Sequence, residues 1–330
     1  MAVYTDVPDD ALRAFLLDYD LGGLLAFRGI AEGVENSNYA LRTEAGDFVL
    51  TLYERRVDPG ELPWFLGLME HLAAKRGLPC PLPVKARDGR ALRELAGRPA
   101  AICTFLPGVW PRRVRPEHCA PLGAALARLH LAGEGYAATR PNALGPAGWP
   151  PLLDRCRAAG GDAVKPGLVA ELDEALAAIL RDWPAPGALP EGHIHADLFP
   201  DNAFFLPGPD GLPRVSGLID FWFACTDLLA YDLAVCLNAW CFEPDGRTFN
   251  VTKAHAMLAA YGALRPLSAA ERAALPVLCR GAALRFLLTR LHDWTETPAG
   301  ALVTRKDPLE YLRKLRFFAR AEGGADIGLC

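Results

Sequence analysis

The spacing of apolar residues changes once along the chain, and the change falls at Leu106-Pro107-Gly108. Before it, short strand-like stretches alternate with turns. Segments 38–42 and 48–53 flank Glu44-Ala45-Gly46-Asp47, and segments 91–95 and 100–105 flank Gly97-Arg98-Pro99, which predicts two hairpins. One longer helix is expected between them over 62–78. After the change, helical spacing dominates at 117–132, 167–183, 227–242, 268–292 and 307–322. The pattern predicts an α+β fold with a small strand-rich lobe, residues 1–105, and a larger mainly helical lobe, residues 106–330. At 330 residues the chain is about twice the usual domain size, long enough to bury roughly three quarters of its unfolded surface.

The helical part is interrupted at 193–221, where two short strands are expected on either side of the turn PGPDGLP. The interruption opens with His193-Ile-His195-Ala-Asp197-Leu-Phe-Pro-Asp-Asn202, an H-x-D with Asn five residues after the Asp. In a kinase catalytic loop this spacing serves a carboxylate that accepts the substrate hydroxyl's proton and an amide that holds magnesium. Composition alone produces the pattern about 0.008 times in such a chain, so accident is a poor explanation. Eighteen residues beyond Asn202, Asp220 ends the apolar stretch Gly217-Leu-Ile-Asp220, where a second metal ligand is expected. ATP phosphates carry several negative charges, and hard Mg²⁺ held by carboxylate and amide oxygens neutralises what develops during transfer. Asp197 is then the catalytic acceptor, and Asn202 and Asp220 the metal ligands. Taken one at a time, each also suits ordinary work as loop cap, turn residue or strand end, and His195 suits a buried structural role. Together at this spacing they point to phosphoryl transfer.

Near the amino end, Gly33-Val-Glu-Asn36-Ser37-Asn38 lies at the first expected β-turn, where a loop over phosphates would sit. Its backbone and small polar side chains suit phosphate oxygens, although a single Gly is weaker than a glycine-rich loop.

Charge and composition close off other classes. The 35 basic and 39 acidic residues leave a net charge of −4, without the basic footprint of a nucleic-acid binder. No run of eighteen apolar residues occurs, so no membrane span is expected. The first twenty residues are acidic where a secretory leader is basic, and the nine cysteines form no C-x-x-C pair. A reduced, cytoplasmic protein without a zinc site is the expectation.

These residues, with the D-L-L-A-Y-D-L-A stretch at 227–234 and the L-x-R-L-H ending at His130, resemble the aminoglycoside-phosphotransferase and choline-kinase superfamily, which shares the protein-kinase-like fold. GVENSNY at 33–39, FVLTLYERRV at 48–57, ELPWFLGLMEHLA at 61–73, LPCPLPV at 78–84 and RFLLTRLHDW at 285–294 are similar to the homoserine kinases. The resemblance implies a two-lobed kinase-like fold and Mg·ATP-dependent phosphorylation of the γ-hydroxyl of L-homoserine to O-phospho-L-homoserine, in threonine biosynthesis. It also implies an interlobe hinge at 102–106 whose Thr104 and Phe105 face adenine. Asp227 and Asp232 are expected to fix the helix that carries them. Arg285, Arg290, His292 and Asp293 are candidates for the substrate's charged ends. Thr51 stands where the wider kinase pattern has a Lys, with Arg55 and Arg56 the nearest cations. That departure leaves a catalytically inactive scaffold as an alternative, beside kinases of other small alcohols such as choline, ethanolamine, an aminoglycoside or methylthioribose. Residues 280–320 carry nine Lys/Arg against four acids, which disfavours cationic acceptors and suits a carboxylate-bearing one.

Overall fold

The computed structural model describes residues 4–30, 36–54, 58–75, 78–296, 305–321 and 323–329. It divides into two compact units, Met1–Gly108 with Ser216–Trp222, and Val109–Val215 with Phe223–Cys330.

The first unit begins with helix α1 (Asp9–Leu16), followed by strands β1 (Leu24–Gly29), β2 (Ser37–Thr43) and β3 (Gly46–Leu52). Helix α2 (Leu62–Ala73) precedes β4 (Pro83–Val84), β5 (Arg93–Leu95) and β6 (Arg98–Thr104). The antiparallel sheet runs β1-β2-β3-β6-β4, with β5 paired to β6. Alternation explains its packing: Tyr39, Leu41, Leu50, Leu52 and Ile102 turn inward onto Leu12, Phe15 and Leu16 of α1. Both expected hairpins are present. Helix α2 stops at Ala73, short of the expected 78, because the run of apolar residues at helical spacing ends with Leu72. The returning segment Ser216–Trp222 is tied into this unit by its backbone and an aromatic ring. Leu218 N–H donates to Pro79 O (2.8 Å), and Trp222 packs edge-on against Tyr53 (4.8 Å) and Phe65 (5.6 Å).

The second unit holds α3 (Pro116–Ala132), α4 (Trp149–Ala158), α5 (Leu168–Asp182), β7 (Glu191–Ile194), β8 (Ala203–Pro207), β9 (Pro213–Leu218, whose end passes into the first unit) and β10 (Cys225–Leu228). Helices α6 (Leu229–Trp240), α7 (Val251–Leu264), α8 (Ala269–Glu296) and α9 (Pro308–Arg320) follow. β7 pairs antiparallel with β10. Helix α6 is apolar on every face apart from Asp232 and Asn238 and is buried at every position from Leu229 to Asn238, as a central helix must be. α8 packs on it and also meets α4, α5 and α9. α3 and α7 approach so closely that a Cβ on Gly123 would stand 2.2 Å from Met257 O, so only glycine fits there. Among the described residues no helix is long and apolar enough to cross a membrane.

A charged cluster joins α8 to α9. Glu310 lies 2.7 Å from both Arg290 Nη1 and Lys314 Nζ, and Lys314 also donates to Asn238 O (3.0 Å). Burial pushes the Glu310 carboxyl up, but the charges and hydrogen bonds of Lys314 and Arg290 outweigh it and hold the group at about 2. Lys314 moves below its ordinary value through its own burial, so the pair contributes less than the carboxylate's shift alone would suggest. The folded chain therefore keeps Glu310 ionised where the unfolded chain binds a proton. Its contribution is complete above the ordinary value of 4.5 and drains as pH falls toward 2. Discounted for partial exposure, the loss is about 1–2 kcal/mol. Urea midpoints measured across that range should fall with acid in the parent and less steeply in Glu310→Gln. Equal slopes would show that the cluster does not contribute.

Candidate active site

The H-x-D-x4-N loop follows β7. Ile194 ends the strand on the β10 ladder, and the next residues leave it in a conformation that a non-glycine residue rarely adopts: Ala196 has φ +61°. Such a conformation persists only where its surroundings hold it. Here the hold comes from Asp232, fully buried on α6, whose Oδ2 accepts the N–H of His195 and whose Oδ1 accepts that of Ala196, each at 2.8 Å. On the other side Arg285 Nη1 of α8 donates to Ala196 O at 2.9 Å. The loop is thus gripped by an acid through its amides and by a cation through its carbonyl.

Asp232 therefore clamps the loop itself, where the sequence suggested only that it fixes its own helix. Burial alone raises its carboxyl, yet the hydrogen bond and charge of His130, with the charge and backbone N–H of His195, bring it below the usual value. His130 Nε2 lies 3.0 Å from Asp232 Oδ2, and its Nδ1 is 2.8 Å from Tyr261 Oη. Tyr261 Oη in turn accepts from Arg265 (3.0 Å), which pairs with buried Glu271 (2.8 Å). Asp227 is separate: its carboxylate accepts from Asn142 Nδ2 (2.7 Å) and Leu228 N–H (2.7 Å), while burial pushes its carboxyl up.

Asp197 stands one residue beyond the strained Ala196. Its Oδ1 is 3.4 Å from Arg285 Nη1 and its Oδ2 is 3.5 Å from Asn202 Nδ2. Both contacts are long for charge-assisted hydrogen bonds, so they orient the carboxylate more than they bind it. Asn202 makes its strong bond to Asp197 O, at 2.8 Å, through the amide nitrogen. That use of the nitrogen turns the amide's oxygen, a hard donor, to other partners. His195 is fully buried, and its Nδ1 accepts the Asp197 N–H at 3.3 Å, which is packing work rather than proton transfer. Below the loop, Trp240 Nε1 donates to Leu198 O (2.8 Å), and Phe199 stacks edge-on against Phe286 (4.8 Å).

The other residues singled out in the sequence are placed as follows. Asp220 lies in the first unit, at the left-handed φ of +67°. Arg285 is 3% exposed, with its guanidinium 3.9 Å from the Phe286 ring centre, so it serves the loop. Arg290 holds Glu310 and donates to Asp307 O (3.2 Å), and His292 Nδ1 is 3.9 Å from Asp293. In the first unit, Ser37 Oγ accepts from Tyr4 N (2.8 Å) and Thr5 N (3.0 Å) and donates to Glu54 (2.7 Å), which uses all of the hydroxyl's capacity. Asn36 Oδ1 accepts from Glu54 N (3.2 Å). Asn38 and Thr51 face each other across β2 and β3, with Thr51 Oγ1 donating to Asn38 Oδ1 (2.7 Å), so an uncharged pair occupies the expected lysine position. Thr104 Oγ1 accepts from Leu82 N (2.9 Å), and Phe105 is 44% exposed. Gly33, Arg55 and Arg56 lie outside the described residues.

Among the described residues no three His, Cys, Asp or Glu side chains gather as a metal cluster. Asn202, in the second unit, and Asp220, in the first, each carry an oxygen donor of the hard kind that Mg²⁺ prefers.

The model of the phosphotransferase enzyme family matches residues 26–267. A homoserine kinase of Acidiphilium cryptum is 70% identical over 329 residues, covering 100% of both chains. One from Gluconacetobacter diazotrophicus is 68% identical over the same length and coverage. Among solved structures, a microcompartment-associated aminopropanol kinase superposes with a TM-score of 0.72 at 21% identity, covering 97% of this chain and 99% of that one. An amicoumacin kinase in complex with AMP-PNP, Ca²⁺ and Ami gives 0.67 at 15% identity, covering 96% and 94%. At those identities the structural likeness bears on the fold, which is kinase-like as expected. With a family match over most of its length and relatives aligned over all of it, the chain belongs to the phosphotransferase enzyme family, in the group that contains these homoserine kinases.

Proposed function

We propose that the chain is an ATP-dependent homoserine kinase, transferring the γ-phosphoryl group of ATP to the γ-hydroxyl of L-homoserine. The observation that carries this reading is the 70% identity, over the whole of both chains, to a homoserine kinase. In the proposed reaction the substrate oxygen attacks the γ-phosphorus, the bond to ADP breaks, and Asp197 receives the hydroxyl proton. Asp197 suits that task because the loop presenting it is held from two sides, by Asp232 and by Arg285, so little reorganisation is needed to reach an in-line geometry. Asn202 and Asp220 are the proposed magnesium ligands. When bound, Mg²⁺ would neutralise charge on the transferring phosphates. On the nucleotide side we assign phosphate contacts to the segment from Gly33 to Asn38, through backbone donors where Ser37's hydroxyl is already used, and adenine contacts to Thr104 and Phe105. A role in threonine biosynthesis and a cytoplasmic setting belong to the same proposal.

The test is a coupled assay of ADP release with L-homoserine, L-serine, choline and an aminoglycoside side by side. L-homoserine should give the highest kcat/KM. L-serine should be far poorer, because its hydroxyl falls one methylene short of the γ-phosphate once its charged ends are fixed. Preference for any of the other three would overturn the reading.

A further inference from the structure

An amino-acid acceptor brings a carboxylate beside Asp197, and that anion needs a cation. The basic residues concentrated in 280–320 are mostly committed elsewhere. Arg280 holds Asp182 (3.2 Å), Arg290 and Lys314 hold Glu310 (both 2.7 Å), Arg313 faces Asp307 (3.6 Å), and Arg316 holds Glu171 (2.6 Å). Arg285 is buried and spent on the loop. Lys306 differs. It is exposed, it has no acid partner among the described residues, and its Nζ stands 5.6 Å from the centre of the Phe199 ring.

Phe199 links that ammonium to the loop that carries Asp197. Its N–H donates to Asp197 O at 2.8 Å, so the two residues are held together by a tight backbone turn, and its ring is fixed against Phe286. A cation over an aromatic face keeps its full charge and its donors for an anion. The hydroxyl and the carboxylate of a four-carbon hydroxy amino acid lie roughly 5 Å apart when extended, so a group that binds the carboxylate must sit near the loop that receives the hydroxyl.

We infer that Lys306 binds the carboxylate of the amino-acid acceptor and so selects amino acids over plain amino alcohols; this rests on the substrate reading above. Arg290, His292 and Asp293 then shape the surrounding helix, and the specificity comes from the residue just before α9.

The experiment compares the parent with Lys306→Gln on L-homoserine and on 3-aminopropan-1-ol, which is the same molecule without the carboxylate. The variant should raise KM for L-homoserine by about 10- to 100-fold, the usual worth of one hydrogen bond to a charged group, with kcat changed far less. The loss should be absent with 3-aminopropan-1-ol, and Lys306→Arg should recover much of the homoserine KM. Arg320→Gln, at the far end of α9, controls for general electrostatic steering and should leave both substrates unaffected. An equal loss on both substrates would place Lys306 on the phosphate or in the fold and overturn the inference, as would no loss on either. A parent inactive on L-homoserine overturns the substrate reading and this inference with it; an active parent with an insensitive Lys306→Gln overturns the inference alone.

Discussion

Asp197→Asn should lower turnover of the purified protein by about 10²- to 10⁴-fold while leaving the fold and ATP binding intact. The substitution keeps the shape of the side chain and removes the one property the proposed reaction asks of it, a carboxylate able to take a proton. The fold should be spared because little of it depends on this group. The loop's strong bonds to Asp232 and Arg285 are made by its backbone at residues 195 and 196, and the Asp197 carboxylate stands 3.4 Å from Arg285 Nη1 and 3.5 Å from Asn202 Nδ2, both long contacts. Rate is measured in the coupled assay, and ATP binding by the shift in thermal midpoint. Asn202→Ala is the natural contrast, since loss of a proposed metal ligand should raise the half-saturating Mg²⁺ concentration, whereas Asp197→Asn should leave it near the parent's. An Asp197→Asn protein working at the parental rate would remove Asp197 from the chemistry.

What the sequence revealed about this site follows a physical division between local and distant determinants. H-x-D-x4-N is legible because all its members lie on one loop, so spacing alone carries them. The helices at 117–132, 167–183, 227–242, 268–292 and 307–322 were legible because long apolar periodicity is a strong signal, and α3, α5, α6, α8 and α9 lie where it placed them. Elements of two to four residues gave no such signal. β4 exists only through its pairing to β6, and β7 and β10 meet across some thirty residues of intervening chain. α4 and α7 were missed as well: α4 opens with two prolines after Trp149, and polar residues interleave the apolar ones of α7. That Ser216–Trp222 groups with the first unit is likewise a matter of tertiary packing, through Pro79, Tyr53 and Phe65, none near it in sequence. The grip of Asp232 on residues 195 and 196 is another such case. Its one signal was an acid set in an otherwise apolar helix, which marks a buried charge needing partners without saying which partners.

The largest stability effect should come from Asp232→Ala, expected to cost about 3–5 kcal/mol, the range seen when one member of a buried ionic pair is removed. Three donors lose their acceptor at once: the N–H groups of His195 and Ala196, each at 2.8 Å, and His130 Nε2 at 3.0 Å. None can turn to water without opening the core, because Asp232 and His195 are fully buried and His130 nearly so. The chain of bonds behind it adds to the cost. Arg265 pairs with Glu271 and donates to Tyr261, whose hydroxyl meets His130 Nδ1, and His130 Nε2 meets the carboxylate, so a network running from Glu271 to the loop ends at Asp232. Without that end point Ala196 also loses one of the two bonds that hold its left-handed backbone, and Asp197, the next residue, should lose its orientation. Activity should therefore fall with stability, in contrast to Asp197→Asn, where rate falls alone. Asp232→Asn should cost less than the alanine variant, since it keeps the volume and one acceptor, but its NH₂ must face a donor. Urea unfolding midpoints for the three proteins, with kcat measured well below each midpoint, separate the two effects. An alanine variant within about 1 kcal/mol of the parent, still turning over normally, would mean that the clamp does not hold the loop.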